Sequence, residues 1–330
     1  MTTVTAFGLS RQQQVGRFLA QRPVIALLVV LAALYIVTGI QDPSLFTPRG
    51  LRATLLLACP LAILAAAQTV CMITGGIDLS SAMIANFAAY IAANNSGAGP
   101  LQSLGFAFLV GATVGAVNGI GVGIFKVNPL IMTIGMASVL VGVITVGIVG
   151  DGFLSGSTNI LPLIKTLGSG TLVGPIPMNS IVLVLLSVIL ILGLSRTGLG
   201  RSIYATGDNP RAVRLAGIRS WQVLLAVYIL AGVLAALGGL MFSGISGSVG
   251  PDQTNSYLLP AVAAAVIGGT SILGGTGGFA GTIVGAFILT VLNRLLIGLD
   301  TSEAVRQIIY GLIVLGLAWF YVKVTGQRAD

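Results

Sequence analysis

Three short polar stretches hold most of the chemistry this sequence can do. The first, residues 196–219 (RTGLGRSIYATGDNPRAVRLAGIR), carries five of the sixteen basic residues: Arg196, Arg201, Arg211, Arg214 and Arg219. Inside it, Asn209 can cap a helix by accepting a free backbone N–H. Pro210 suits the first helical position, and Gly217 suits the left-handed residue that ends a helix. This punctuation predicts a helix over about 210–216. Two turns are too short to stand alone in water, so the helix must pack on something. Composition alone fits an ordinary basic loop; the cap, the proline and the glycine favour a docking helix for a soluble partner.

The second stretch is Thr74-Gly75-Gly76-Ile77-Asp78-Leu79-Ser80-Ser81. Two adjacent glycines break a helix, and Asp78 with the serines resembles the start of the next one. A carboxylate near membrane depth is costly and usually has a role. Asp78 either caps the following helix from the interface or touches a solute. The third stretch, 268–278 (GGTSILGGTGG), superficially resembles a phosphate-cradling loop. It lacks the Gly-Lys-Ser/Thr ending and the strand–loop–helix context of a nucleotide site, so a tight turn is expected.

Elsewhere the chain is 55% hydrophobic and 7% charged, and it contains no histidine. A zinc site of Cys and His is excluded. Cys59 and Cys71 are twelve residues apart in one apolar run, a helical rise of about 18 Å, too far for a disulfide. No nucleophile–base pair is evident, so no catalytic site is expected. Gln68, Asn86, Asn118 and Asn293 are isolated amides within apolar runs. Each can hydrogen-bond between helices; alternatively, Asp78, Asn86 and Asn118 line a path for an uncharged, hydroxyl-rich solute. The scarcity of intramembrane charge argues against a proton- or sodium-coupled pump.

The elements that must position these residues are membrane helices. Hydropathy predicts an all-α polytopic protein with about ten spans, each needing about 20 apolar residues. They fall at 24–40, 53–73, 82–94, 101–124, 130–149, 179–195, 221–242, 257–268, 279–297 and 304–322. The third and eighth are short. Irregular backbone beside them is tolerated at membrane depth only where protein or a water-filled cavity covers it. Residues 1–23 read as an uncleaved cytoplasmic N-terminal segment, 24–322 as one transmembrane domain and 323–330 as a cytoplasmic tail. With the N-terminus inside, eleven basic residues fall inside and five outside, the bias that orients a chain. The net charge of +8 therefore needs no nucleic acid partner. Residues 150–178 form the longest external stretch, and their apolar island at 160–164 predicts a short helix on the outer face. Both glycine-rich stretches follow one span after a long span, which suggests two repeats, spans 2–5 and 7–10.

Four stretches resemble the membrane permease of bacterial ABC sugar importers of the ribose/xylose/arabinose type: 73–85 (ITGGIDLSSAMIA), 115–136 (GAVNGIGVGIFKVNPLIMTIGM), 200–218 (GRSIYATGDNPRAVRLAGI) and 268–299. The resemblance covers about 50–325. One departure is Ser81-Ala82, where the family often has Val-Gly. The resemblance implies a bacterial inner-membrane protein acting as a permease dimer, with a second copy or a paralogue. Its partners would be an ABC ATPase subunit, an external sugar-binding protein and membrane lipid. ATP and Mg would sit on the ATPase, and this chain would bind no cofactor or metal. On this reading 200–218 docks on the ATPase. Arg201, Tyr204, Asp208, Asn209, Pro210, Ala212 and Gly217 match the family's pattern, and Arg211 and Arg214 add surface charge. A related permease for a nucleoside, a branched-chain amino acid or a furanosyl signal molecule is the alternative, and an ATP-independent channel or carrier the more distant one.

Overall fold

Hydropathy requires most of this chain to satisfy its backbone polar groups internally, and helices do so. The computed structural model describes residues 23–149, Leu154 and residues 159–326. The N-terminal segment before residue 23 and the tail after 326 lie outside the described residues. Ten helices coincide with the ten predicted spans: α1 (Pro23–Gln41), α2 (Pro48–Ile73), α3 (Ser81–Asn94), α4 (Pro100–Gly123) and α5 (Pro129–Ile148), then α7 (Asn179–Arg196), α10 (Ser220–Ser246), α11 (Leu258–Ile267), α12 (Phe279–Gly298) and α13 (Glu303–Gly326). Seven of these (α1, α2, α4, α5, α7, α10 and α12) are long and apolar enough to cross a membrane. The external island forms α6 (Pro162–Ser169). Two helices between α7 and α10, namely α8 (Gly198–Asp208) and α9 (Pro210–Leu215), build an arm. A two-stranded hairpin, β1 (Thr171–Val173) with β2 (Ile176–Pro177), follows α6.

The core lies around α2 and α10. The hydrophobic window of α2 is 89% buried, against 11% for α1, so α2 is central and α1 peripheral. Helix α4 lies on α10 along a seam of small residues spaced four apart. A side chain at Gly111 would meet Gly232 O, one at Gly115 would meet Tyr228 O, and one at Gly119 would meet Leu225 Cα. Residues four apart share a helix face, and bare backbone there lets the two helices touch.

The predicted repeats correspond to a repeated packing. The order long, short, long, long describes both α2–α5 (26, 14, 24 and 20 residues) and α10–α13 (27, 10, 20 and 24). Helix α2 packs on α11 and α12 of the second half, while α10 packs on α3 and α4 of the first. The halves are thus interleaved.

Contacts sort the loops into two ends. At one end, Gly275 N–H donates to Ile73 O and Tyr204 Oη to Gly277 O. At the other, Arg294 pairs with Asp42 at 2.9 Å, and Arg52 donates to Ser169 O and Thr171 Oγ1. We call these the arm end and the far end.

Candidate functional site

The arm begins at a tight corner. The Thr197 side chain accepts from Gly200 N–H at 3.0 Å and caps α8, where the sequence reading expected loop. Helix α8 buries Gly200, Ile203 and Thr206 and leaves Arg201 and Asp208 exposed. Asn209 then caps α9 as expected: Oδ1 accepts from Arg211 N–H at 3.1 Å and Ala212 N–H at 3.0 Å. Pro210 takes the first helical position. At the end of α9, Gly217 has φ +80°; its N–H donates to Arg214 O, and Ile218 N–H donates to Val213 O. This double bond pattern closes a helix when a glycine occupies the left-handed position. Arg211, Ala212 and Arg214 face outward, while Val213 anchors the helix beneath them.

Two arm residues escaped the sequence reading. Leu215 is 91% exposed, an apolar tip among arginines. Gly207 reads as a turn residue before the Asn209 cap but lies inside α8, pressed on the bundle. A side chain there would fall on Ile73 O and within 2.6 Å of Gly275 N. Tyr204 is likewise not a free surface residue, because it binds Gly277 O at 2.9 Å. The glycine-rich stretch 268–278 is more than a turn: it is the seat of the arm, stitched to the end of α2.

The α2 end leads into the first break, residues 74–80. The chain turns at Gly75 (φ +82°) and folds back inward. Gln68, five residues or about 7.5 Å inside the end of α2, donates to Asp78 O at 2.6 Å and Ser81 Oγ at 2.7 Å. Its Oε1 accepts from Asp78 N–H at 3.3 Å. Asp78 Oδ1 accepts from Ser80 N–H at 2.9 Å and Ser80 Oγ at 2.6 Å. Asn118 donates to Ser80 Oγ at 2.9 Å, and Leu79 N–H donates to Thr133 Oγ1 at 3.1 Å. One network thus ties α2, α3, α4 and α5 together. Asp78, Gln68 and Asn118 are each 0% exposed.

Of the three residues expected on a solute path, Asp78 and Asn118 therefore share this sealed network. Asn86 does not belong to it. It donates to Pro251 O at 2.6 Å and holds a different segment, 247–257. In this conformation all three bond between elements and none is open to solvent. Asn293 also bonds between helices, accepting from Tyr310 Oη at 3.0 Å.

An interleaved bundle of apolar helices with an arm docked on one end defines a multi-pass membrane protein. The family model described as "Branched-chain amino acid transport system / permease component" matches residues 50–318, and the chain belongs to that family. It is an ABC-importer permease of the bacterial inner membrane, a class that works with an ATPase and a binding protein. The ribose import permease protein RbsC of Escherichia coli (strain K12) is 35% identical over 318 residues, covering 96% of this chain and 97% of the relative. The autoinducer 2 import system permease protein LsrC of Yersinia enterocolitica is 34% identical over 299 residues, covering 89% and 81%. No solved structure matches the chain.

Proposed function

We propose that this chain forms the membrane path of an importer for a simple sugar delivered by an external binding protein. The observation that carries the reading is the near end-to-end match to a permease named for ribose. The family description names branched-chain amino acids, but the relatives named for ribose and autoinducer 2 favour a sugar or a sugar-like solute. Titrating D-ribose, D-xylose and L-arabinose against the cognate external protein tests the substrate: binding of none of them ends the sugar reading.

The arm is the ATPase-docking element of this proposal. Arg201, Asp208, Asn209, Pro210, Arg211, Ala212, Arg214 and Gly217 present its outer surface, and Tyr204 fastens it to the bundle. The chain itself has no catalytic site and binds no ATP. Closure of the partner ATPases favours one packing of the helices over another by binding the two unequally. Eleven of sixteen basic residues lie inside when the arm end faces the cytoplasm, which supports ten crossings with both termini inside. The weakly buried faces of α5 and α7, each 22% buried over its apolar window, leave room for lipid and for a second permease subunit. Replacing Asn209 and Pro210 together by glycine removes the cap and the preset backbone. Uptake by the assembled importer is expected to fall at least ten-fold with membrane insertion unchanged. Wild-type uptake would end the coupling role.

A further inference from the structure

We propose that the second break, residues 247–257, is the solute-recognition station of the path, with Asp252 and Asn255 binding hydroxyls of an uncharged polyol. The inference rests on the import reading above and deepens it.

Depth is the first observation. Helix α10 ends at Ser246, and Gly247 (φ +72°) turns the chain back. The Thr254 hydroxyl donates to Ala82 O at 2.6 Å, and Asn86 holds Pro251 O. Gly239 of α10 abuts Ala85 O, so Ala82, three residues lower on α3, lies level with residue 236. That is ten residues, about 15 Å, below the end of α10. Helix α11 agrees. Its Ala264 abuts Gly285 of antiparallel α12, placing Leu258 level with Val291, seven residues or about 10 Å short of the far end of α12. The break therefore re-enters the bundle and hands over to a half-length helix.

Exposure is the second. Asp252, Asn255 and Ser256 are exposed in this subunit despite that depth. Among the described residues, no hydrogen bond engages the side chain of Asp252 or of Asn255. Irregular backbone and a free carboxylate persist at membrane depth only beside protein or a water-filled cavity. An open groove of about 380 Å³ lies there, bounded by Leu79, Met83, Ser138, Val141, Asp252 and Asn255. Its wall includes Leu79 of the first break, so the two breaks meet across it. Helix breaks of two repeats meeting within the bundle are how many transporters build a binding site.

Chemistry is the third. The polar lining is a carboxylate, an amide and a hydroxyl over an apolar floor, and among the described residues no cation lines the groove. A solute bearing a phosphate or carboxylate would face Asp252 without a counter-charge. A neutral solute with adjacent hydroxyls can donate to Asp252 and both donate to and accept from Asn255.

The test uses the assembled importer in membranes. Asn255→Cys is treated with a membrane-impermeant methanethiosulfonate, and Ile189→Cys, on the outer apolar face of α7, is the control. Native Cys59 and Cys71 are buried. Position 255 is expected to react, position 189 not to react, and trapping with ATP and vanadate to change the rate at 255 several-fold. Asp252→Ala and Asn255→Leu are then expected to lower uptake at least ten-fold while the complex still assembles with its ATPase. No reaction at 255, a rate indifferent to trapping, or full uptake in both variants overturns the station. Failure of the wild type to take up any of the three pentoses ends the sugar reading alone, since labelling still decides whether 247–257 lines the path.

Discussion

The two breaks in the bundle are built alike and housed differently. Each follows a long helix, turns on a glycine with positive φ (Gly75 and Gly247), and sets an aspartate two residues before a hydroxyl (Asp78-Leu79-Ser80 and Asp252-Gln253-Thr254). Asp78 is 0% exposed and bonded through Ser80 and the backbone to four helices. Asp252 is exposed and lines the groove. The difference comes from neighbours. The first break is roofed by Gln68, Asn118 and Thr133 from three helices, and Gly76 packs against Tyr228 of a fourth. The second is held by Asn86 and Ala82 of α3, by Gln307 of α13 through Ser256 O and by Phe242 of α10 against Tyr257, none of which covers Asp252. The same local design serves as a fixed joint near the arm and as an open surface deep in the bundle.

Substitutions can break this contrast. The largest effect is expected from Gln68→Leu, which strands Asp78 N–H in a dry interior and takes one bond each from Asp78 O and Ser81 Oγ, leaving those two bonded to each other. At about 1–3 kcal/mol for a stranded polar group, the purified protein should lose about 3 kcal/mol and melt well below the wild type. An unchanged melting midpoint would mean that the first break is not sealed.

A paired measurement sharpens the contrast further. Asp78→Ala removes the acceptor of two Ser80 bonds and should destabilise by about 1–2 kcal/mol. Asp252→Ala touches no internal bond and should stay within about 0.5 kcal/mol of wild type. Equal losses in thermal melts of the two variants would erase the distinction between joint and surface.

The smallest effect concerns a carboxylate outside both breaks. Asp42 accepts from Ser44 and pairs with Arg294 at the far end. The Ser44 hydroxyl foremost, and then Arg294, hold its carboxyl below the usual 3.8. A pKa lowered on folding contributes stability above the unfolded value and loses it as pH falls. Asp42→Asn should therefore lower the melting midpoint slightly at pH 7, and the difference should close as pH drops below about 4. A difference that persists in acid would assign the effect to packing, not charge.

Much of this architecture was legible before folding because lipid permits few choices. Ten apolar runs became ten helices, most within one or two residues of the expected bounds, though α2 starts five residues earlier and α10 and α13 each end four later. The caps Asn209 and Gly217 act within one turn of chain, so sequence spacing suffices to read them. Asp78 and Asn118 were visible as unusual polar residues, but their shared network was not, because Ser80 and Asn118 are 38 residues apart. The arm's first helix was hidden by its glycines, which weaken helix propensity. Gly207 is tolerated there because only a bare backbone can lie against Ile73 and Gly275.

The sequence by itself determined the membrane class, the ten apolar helical segments, the basic arm and its short capped helix. Those follow from hydropathy, charge bias and local hydrogen-bonding rules, all written in neighbouring residues. Tertiary structure alone decided that the halves interleave, that the arm sits on the glycine-rich stretch, and that one aspartate is enclosed while its counterpart lies open. Burial is the reason: it is set by whichever distant helices close over a residue, and two breaks that share a positive-φ glycine and an aspartate two residues before a hydroxyl meet opposite surroundings.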